Sequence, residues 1–318
     1  MPHGQEIYLF FYRFGTKGLL GIIICNIIMA IIIYKTLKIL YENNINTYKN
    51  FLDKIFLENE KLSNITNIIL NVFLCATFFI MISGFGTYLS QAFGMNQIIG
   101  SSILALISYI VFLRKIESFA KINNMVIPIL ITIILIIGII NIVNLKKINN
   151  NIYLDKSYFW ILQAILYASY NLVLVEPVLV NLKQFLKNKK QILKISIGVG
   201  IIMTILATLE FLLLTNVDVN FKNLEMPLVY VVEKTFPRFT YLYGIIILIA
   251  IFTTAVSVGI SFLNNISKNK KSFPQKAEIL CISSVIISQI SFSKLVEYLF
   301  PLFGFLGLLQ MIFILKKK

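Results

Sequence analysis

The sequence predicts an all-α polytopic membrane protein with a single transmembrane domain over residues 1–318. Three observations predict it. Hydrophobic residues make up 58% of the chain and the mean hydropathy is +0.84, values of membrane chains rather than soluble domains. The charged residues, 14% of the total, gather in short lysine clusters between apolar runs, as in loops at a membrane surface. The runs themselves are long enough for helices that cross a bilayer. A net charge of +15 would suggest nucleic acid in a soluble chain. With the lysines confined to loops, nucleic acid is not expected as a partner and the lipid bilayer is.

The elements follow in order. The N-terminus lacks a basic region followed by a small-residue cleavage site, so it does not read as a signal peptide. Gly4–Phe14 reads as a short helix of about 16 Å, half a membrane. Leu19–Leu37 is the first full span. A mixed-charge loop from Lys38 to Asn64 carries an interfacial helix at Tyr48–Leu57, where apolar residues recur at helical spacing. Spans follow at Ile65–Gly86, Ile98–Leu113 and Met125–Val143. Gly84 and Gly86 allow either a close helix contact or a bend. An Asn-rich loop then runs to Lys156.

The sixth apolar run, Tyr158–Leu186, is long for one span and contains Asn171, Glu176 and Pro177. A carboxylate at membrane depth is costly and marks function by default. A proline there removes a backbone hydrogen bond. The run therefore reads as two half-helices with an unwound joint; a proline kink with one interhelical hydrogen bond is the plainer alternative. Ile192–Leu214 is the next span. Pro227–Lys234 reads as a short helix over the outer mouth, and spans at Tyr243–Leu263, Ala277–Ser291 and Leu295–Leu315 complete the chain.

Alternating these elements places most of the 29 lysines and arginines on one side, which the positive-inside rule makes cytoplasmic, together with the C-terminus. The expected location is the bacterial cytoplasmic membrane. A half-helix and four spans precede Lys146; a broken helix and four spans follow it. Five elements in each half give opposite orientations, so residues 1–145 and 146–318 read as an inverted repeat with a discontinuous helix opening each half. Cys25, Cys75 and Cys281 lie far apart in apolar runs, and His3 is the single histidine. No nucleophile–base pair, paired aspartates or metal spacing is present, so an enzyme is not expected. Neither is a cofactor.

The N-terminal G-Q-E-I-Y-L-F-F-Y-R-F-G-T-K-G-L-L-G, the mid-chain Y-A-S-Y-N-L-V-L-V-E-P-V-L and the later T-T-A-V-S together resemble the YkvI family of bacterial membrane proteins. That family is similar to the amino acid–polyamine–organocation superfamily. The resemblance implies a LeuT-like 5+5 fold with discontinuous first and sixth helices. It also implies a secondary active transporter, with ion-coupled symport of a small organic solute such as an amino acid. Members carry a first half-helix before G-Q-E, whereas here Met1-Pro2-His3 precedes it, so either the true start lies upstream of Met1 or that half-helix is missing. The alternatives are a ligand-sensing membrane subunit of germinant-receptor type on the same scaffold, or an N-terminally truncated inactive product.

A solute with a carboxylate can be held by the free N–H groups of an opened helix. Gly4 and Gln5 are the candidates at the first break, and Ser169, Tyr170 and Asn171 at the sixth helix. The LeuT-like fold implies a sodium site that uses hydroxyls of the eighth span, here Thr253 and Thr254 with Ser257 beside them. Back-bonding to the preceding turn is the plainer role for these hydroxyls. Protons are the other candidate coupling ion, with Glu6, Glu176 and Glu210 as the carboxylates in apolar surroundings. Glu210 is expected toward the outer end of its span, within reach of water. Tyr8, Phe10, Phe11, Tyr12 and Phe14 would pack or line the outer vestibule.

Overall fold

A computed structural model describes residues 4–57, 59–114, 117–143, 159–217, 219–267 and 271–317. The expected Asn-rich loop, the start of the sixth run at Tyr158, and Lys115, Lys268, Lys270 and Lys318 lie outside these residues. The α-helices are α1 (Gln5–Phe10), α2 (Thr16–Glu42), α3 (Tyr48–Ile55), α4 (Glu60–Phe93), α5 (Gln97–Leu113) and α6 (Glu117–Val143). They continue as α7 (Trp160–Leu182), α8 (Lys189–Leu214), α9 (Pro227–Thr235), α10 (Thr240–Ile266), α11 (Ser272–Ile287) and α12 (Phe292–Lys316). Among the described residues there is no strand, and the all-α polytopic expectation holds.

Six helices, α2, α4, α7, α8, α10 and α12, are long and apolar enough to cross a membrane. Helices α5 and α11 have 17 and 16 residues, about 24–26 Å at 1.5 Å per residue, somewhat under a hydrocarbon core of about 30 Å. Boundaries follow local chemistry. The side chains of Thr47, Asn59, Asn96 and Asn188 accept hydrogen bonds from the first-turn N–H groups of α3, α4, α5 and α8. Pro227 begins α9, where its missing N–H costs nothing.

The N-terminal stretch is not one helix. Helix α1 stops at Phe11, a 3-10 turn spans Tyr12–Phe14, and Gly15 (φ 60°, ψ −135°) turns the chain into α2. A side chain at Gly15 would be strained in that conformation. The turn lies so close to α2 that a Cβ on Gly18 would run into the carbonyl oxygen of Phe11.

The bundle is built around α7, which lies between α2 and α12, and around the pair α4–α10. Helix α2 also packs along α8, α4 along α5, and α5 along α11. Glycines set the closest approaches. Gly86 lies against Gln97 and Ser101 of α5, and Gly84 against the Phe292 ring, so both mark close contacts in a continuous helix rather than a bend. Gly304 and Gly307 let α12 touch the α7 backbone at Leu166 and Ser169.

The structure corrects the expectation of a discontinuous sixth helix. Helix α7 runs without interruption from Trp160 through Pro177 to Leu182 and ends in a 3-10 turn, Lys183–Phe185. Proline removes one hydrogen bond, and tight packing against neighbouring helices lets a membrane helix absorb that loss. Helices α6 and α12 likewise continue through Pro128 and Pro301.

One end of the bundle gathers the lysines. There Lys35 of α2 donates to the carbonyls of Leu315 and Lys317 (2.5 and 2.9 Å), and Lys189 pairs with Glu42 at 2.5 Å. Lys183 donates to Asn44 and Asn46 in the α2–α3 turn.

Two glycine substitutions should separate crowding from propensity. Gly18→Ala forces Cβ against a backbone carbonyl and should cost about 1–3 kcal/mol, the usual range for overpacking. Gly198→Ala, on α8 with nothing within 4 Å of its Cβ position, should be neutral or slightly stabilising. Thermal unfolding of the purified protein in detergent or nanodiscs reads both.

Candidate functional site

The first and sixth elements meet at a carboxylate. Glu6, in the first turn of α1 and 1% exposed, accepts a hydrogen bond from the Tyr170 hydroxyl at the middle of α7. Aromatic rings enclose this contact. Tyr170 lies 5.5 Å from Phe10, 5.3 Å from Tyr167 and 4.8 Å from Phe300, centroid to centroid. Phe73 of α4 stacks on Phe303 of α12 at 4.1 Å and closes the cluster from the side. Rings supply dense apolar packing, and the tyrosine supplies a polar tip for the buried carboxylate. Glu210 of α8 is also buried, at 5% exposure, rather than reaching water, and lies close enough to Glu6 for the two to interact electrostatically.

The other expected binding residues take structural roles. Gly4 adopts the left-handed conformation (φ 81°), and a Cβ there would sit 2.5 Å from Leu228 Cγ at the start of α9. Gln5 is buried beside it. Ser169 donates to the carbonyl of Gly304 at 2.8 Å, which ties α7 to α12. The Asn171 amide bonds back to the Tyr167 carbonyl of its own helix at 2.8 Å. With α7 continuous, Ser169, Tyr170 and Asn171 do not flank freed backbone N–H groups. Thr253 and Thr254 both donate to the Ala250 carbonyl, at 3.1 and 2.8 Å, and Ser257 donates to Thr253 at 2.8 Å. Their hydroxyl protons thus stay within α10, and each oxygen keeps lone pairs for another donor or a cation. The principal neighbours of α10 are α4, α5, α6, α9 and α11, while α1 packs on α7, α8, α9 and α12. The N-terminal aromatics Tyr8, Phe10, Phe11 and Phe14 are packing residues, all buried.

Glu176 lies six residues beyond Tyr170 on α7, about 9 Å nearer the lysine-rich end. It is 1% exposed. The amide of Gln310 on α12 donates to its carboxylate, and the Tyr48 hydroxyl approaches the same oxygen at 3.5 Å. Gln310 also donates to the Tyr48 oxygen at 2.9 Å, which closes a three-way network among α3, α7 and α12. Sequence reasoning missed Tyr48 and Gln310. Gln310 did leave a signal, as a lone amide in the apolar second half of the last span.

A sizeable cavity lies elsewhere. It has a volume of about 480 Å³ between the end of α4, helix α9 and the start of α10, with Tyr88, Glu225, Tyr230 and Thr240 in its wall. Glu225 also accepts from Ser291 Oγ (2.5 Å) and Ser293 N (2.7 Å) at the start of α12. None of the residues expected to bind solute or ion lines this cavity.

Long apolar helices whose polar side chains turn toward one another define an α-helical multi-pass membrane protein. No family model matches the chain. Its sequence is similar to the uncharacterized membrane protein YkvI of Bacillus subtilis (strain 168), 27% identical over 315 residues that cover 96% of this chain and 88% of that protein. It is also similar to the uncharacterized protein YyaD of the same bacterium, 24% identical over 318 residues, 98% of this chain and 90% of that one. The expected resemblance to YkvI therefore extends over nearly the whole chain.

Removing the phenol in Tyr170→Phe takes a donor from a buried carboxylate and should cost about 1–3 kcal/mol. Ser169→Ala removes an interhelical hydrogen bond of the kind that averages about 0.6 kcal/mol in membranes. Unfolding in a denaturing detergent should rank Tyr170→Phe as clearly the more damaging.

Proposed function

We propose that the chain is a secondary active transporter, an ion-coupled symporter of a small organic solute such as an amino acid, in the bacterial cytoplasmic membrane. The observation that carries this reading is a pairing of elements. When α3 and α9 are set aside as connecting helices, ten elements remain, and four of the five pairs that lie five apart pack together: α1 with α7, α2 with α8, α4 with α10, α5 with α11, the pair α6 and α12 being the exception. The connecting helices occupy matching positions, between the second and third and the seventh and eighth elements. A pseudo-two-fold axis would bring equivalent elements together in this way, and transporters built as inverted repeats bind their solute where the first and sixth elements cross. Here that crossing holds Glu6 and Tyr170. Its aromatic filling is compatible with a closed state that must open to admit solute.

On this reading the lysine-rich end is cytoplasmic. Glu6 and Tyr170 face the solute, with Gly4, Gln5, Ser169 and Asn171 around them. Thr253, Thr254 and Ser257 serve sodium, or Glu176 serves protons.

Uptake into proteoliposomes tests the reading. Accumulation of a labelled amino acid should require a sodium or proton gradient and collapse with the matching ionophore. Tyr170→Phe should lower it at least tenfold. The paired change Thr253→Val and Thr254→Val should abolish sodium dependence if sodium is the coupling ion. Absence of uptake of every proteinogenic amino acid under both gradients removes the amino-acid version. Saturable binding without uptake favours a ligand-sensing protein instead.

A further inference from the structure

The three-way network at Glu176 has a property that the Glu6–Tyr170 contact does not share: one of its members, Tyr48, sits at the exposed start of a short helix. Both groups that touch Glu176 are uncharged, a phenol and an amide. Among the described residues no cation pairs with it; Lys35 of α2 is engaged by the carbonyls of Leu315 and Lys317, Lys183 by Asn44 and Asn46, and Lys316 lies over the Phe313 ring. Asp53, on the same short helix as Tyr48, is turned to Ser63 of α4 at 2.5 Å. From α12 the facing group is Gln310, and from α3 the facing titratable group is Tyr48. A buried carboxylate without a cation is costly while charged, and a bound proton removes that cost.

The route for such a proton is short. Tyr48 is the first residue of α3, 7% exposed, while Thr47, Lys49 and Asn50 around it are exposed. Tyr48 thus links the buried carboxylate to an exposed stretch of chain. On its far side Gln310 borders a crevice of about 150 Å³ lined chiefly by leucine, isoleucine and phenylalanine, with Thr66 the other polar side chain, a poorer path for water than the polar start of α3. Pro177, next in sequence, supplies no N–H to the preceding turn, so α7 can deform beside its carboxylate at little cost.

We propose that Glu176 is an exchangeable proton site facing the lysine-rich end of the bundle, and that Tyr48 is its gate, so that loss of the proton releases α3 from α7 and α12. In the release step the O–H bond of the acid breaks, the electron pair stays on the carboxylate, and the proton passes to water. The new charge then draws water in along the path that Tyr48 fills. This assigns the coupling ion on the transporter reading, yet the site is testable without any solute.

The experiment follows the full chain in nanodiscs across a pH series by two readouts. One is the infrared C=O stretch of a protonated carboxylic acid. The other is deuterium exchange in Tyr48–Ile55, corrected for intrinsic pH dependence. The wild type should lose an acid band as pH rises and lose protection of α3 over the same range. Glu176→Gln should lack that band and keep α3 protected throughout. Tyr48→Phe should retain the band and show weakened protection of α3 at low pH. Identical infrared titrations of wild type and Glu176→Gln would overturn the proposal, as would loss of the band with α3 exchange unchanged. Should Glu176→Gln not fold, Tyr48→Phe carries the test: a band and α3 exchange both matching wild type exclude the gate. A protein that titrates as described but takes up nothing keeps the proton site and loses the transport reading. One that transports with Glu176 silent does the reverse.

Discussion

Inside a bilayer every polar group needs a partner from within the protein, and α7 carries more of them than any plain anchor would. Its neighbours are arranged around that need. Ser169 finds a carbonyl on α12, Tyr170 a carboxylate on α1, and Glu176 an amide on α12 and a phenol on α3. These contacts draw three other helices onto α7 at successive depths. The glycines of α12 make the approach possible, because the Ser169 bond needs the α12 backbone in contact with α7. Apolar packing then closes around the polar axis rather than the reverse.

The fold was legible from the chain because hydropathy reports helix number directly. The spans, the amphipathic segment at Tyr48 and the short helix at Pro227 all fall where apolar runs, caps and prolines place them. The state of α7 was less legible. A carboxylate and a proline inside an apolar run look the same whether a helix opens around them or neighbours satisfy them. The outcome depends on partners 128 and 134 residues away in sequence, Tyr48 and Gln310, and no local pattern encodes that proximity. Glu6 and Tyr170 were both singled out as candidates, but their contact, 164 residues apart, emerges only in three dimensions. The hydroxyls of α10 illustrate a third case: they make the back-bonds that local sequence allows, while their role toward an ion depends on partners that no local pattern encodes.

Two buried carboxylates, Glu6 of α1 held at Tyr170 and Glu176 of α7 itself, differ in their surroundings in an instructive way. Glu6 is enclosed by aromatic rings, so its exchange with water requires helices to separate. Glu176 is held by Tyr48 at the exposed edge of a short helix. The first arrangement ties a carboxyl group to the global packing of the bundle, and the second ties one to a local motion. A membrane protein that must link a large rearrangement to a small chemical event has use for both.

Helix α4 has 34 residues, about 51 Å of rod, well beyond a hydrocarbon core of about 30 Å. Near its first turn Ser63 holds Asp53 of α3, and near its last turn Tyr88 and Gln91 border the large cavity under α9. Between the two ends it lies along α10. A rigid rod that pivots about its middle swings its ends in opposite directions. Any tilt of α4 that lets α3 lift would therefore narrow or widen the distant cavity in the same stroke, making this helix a lever between the two faces of the membrane.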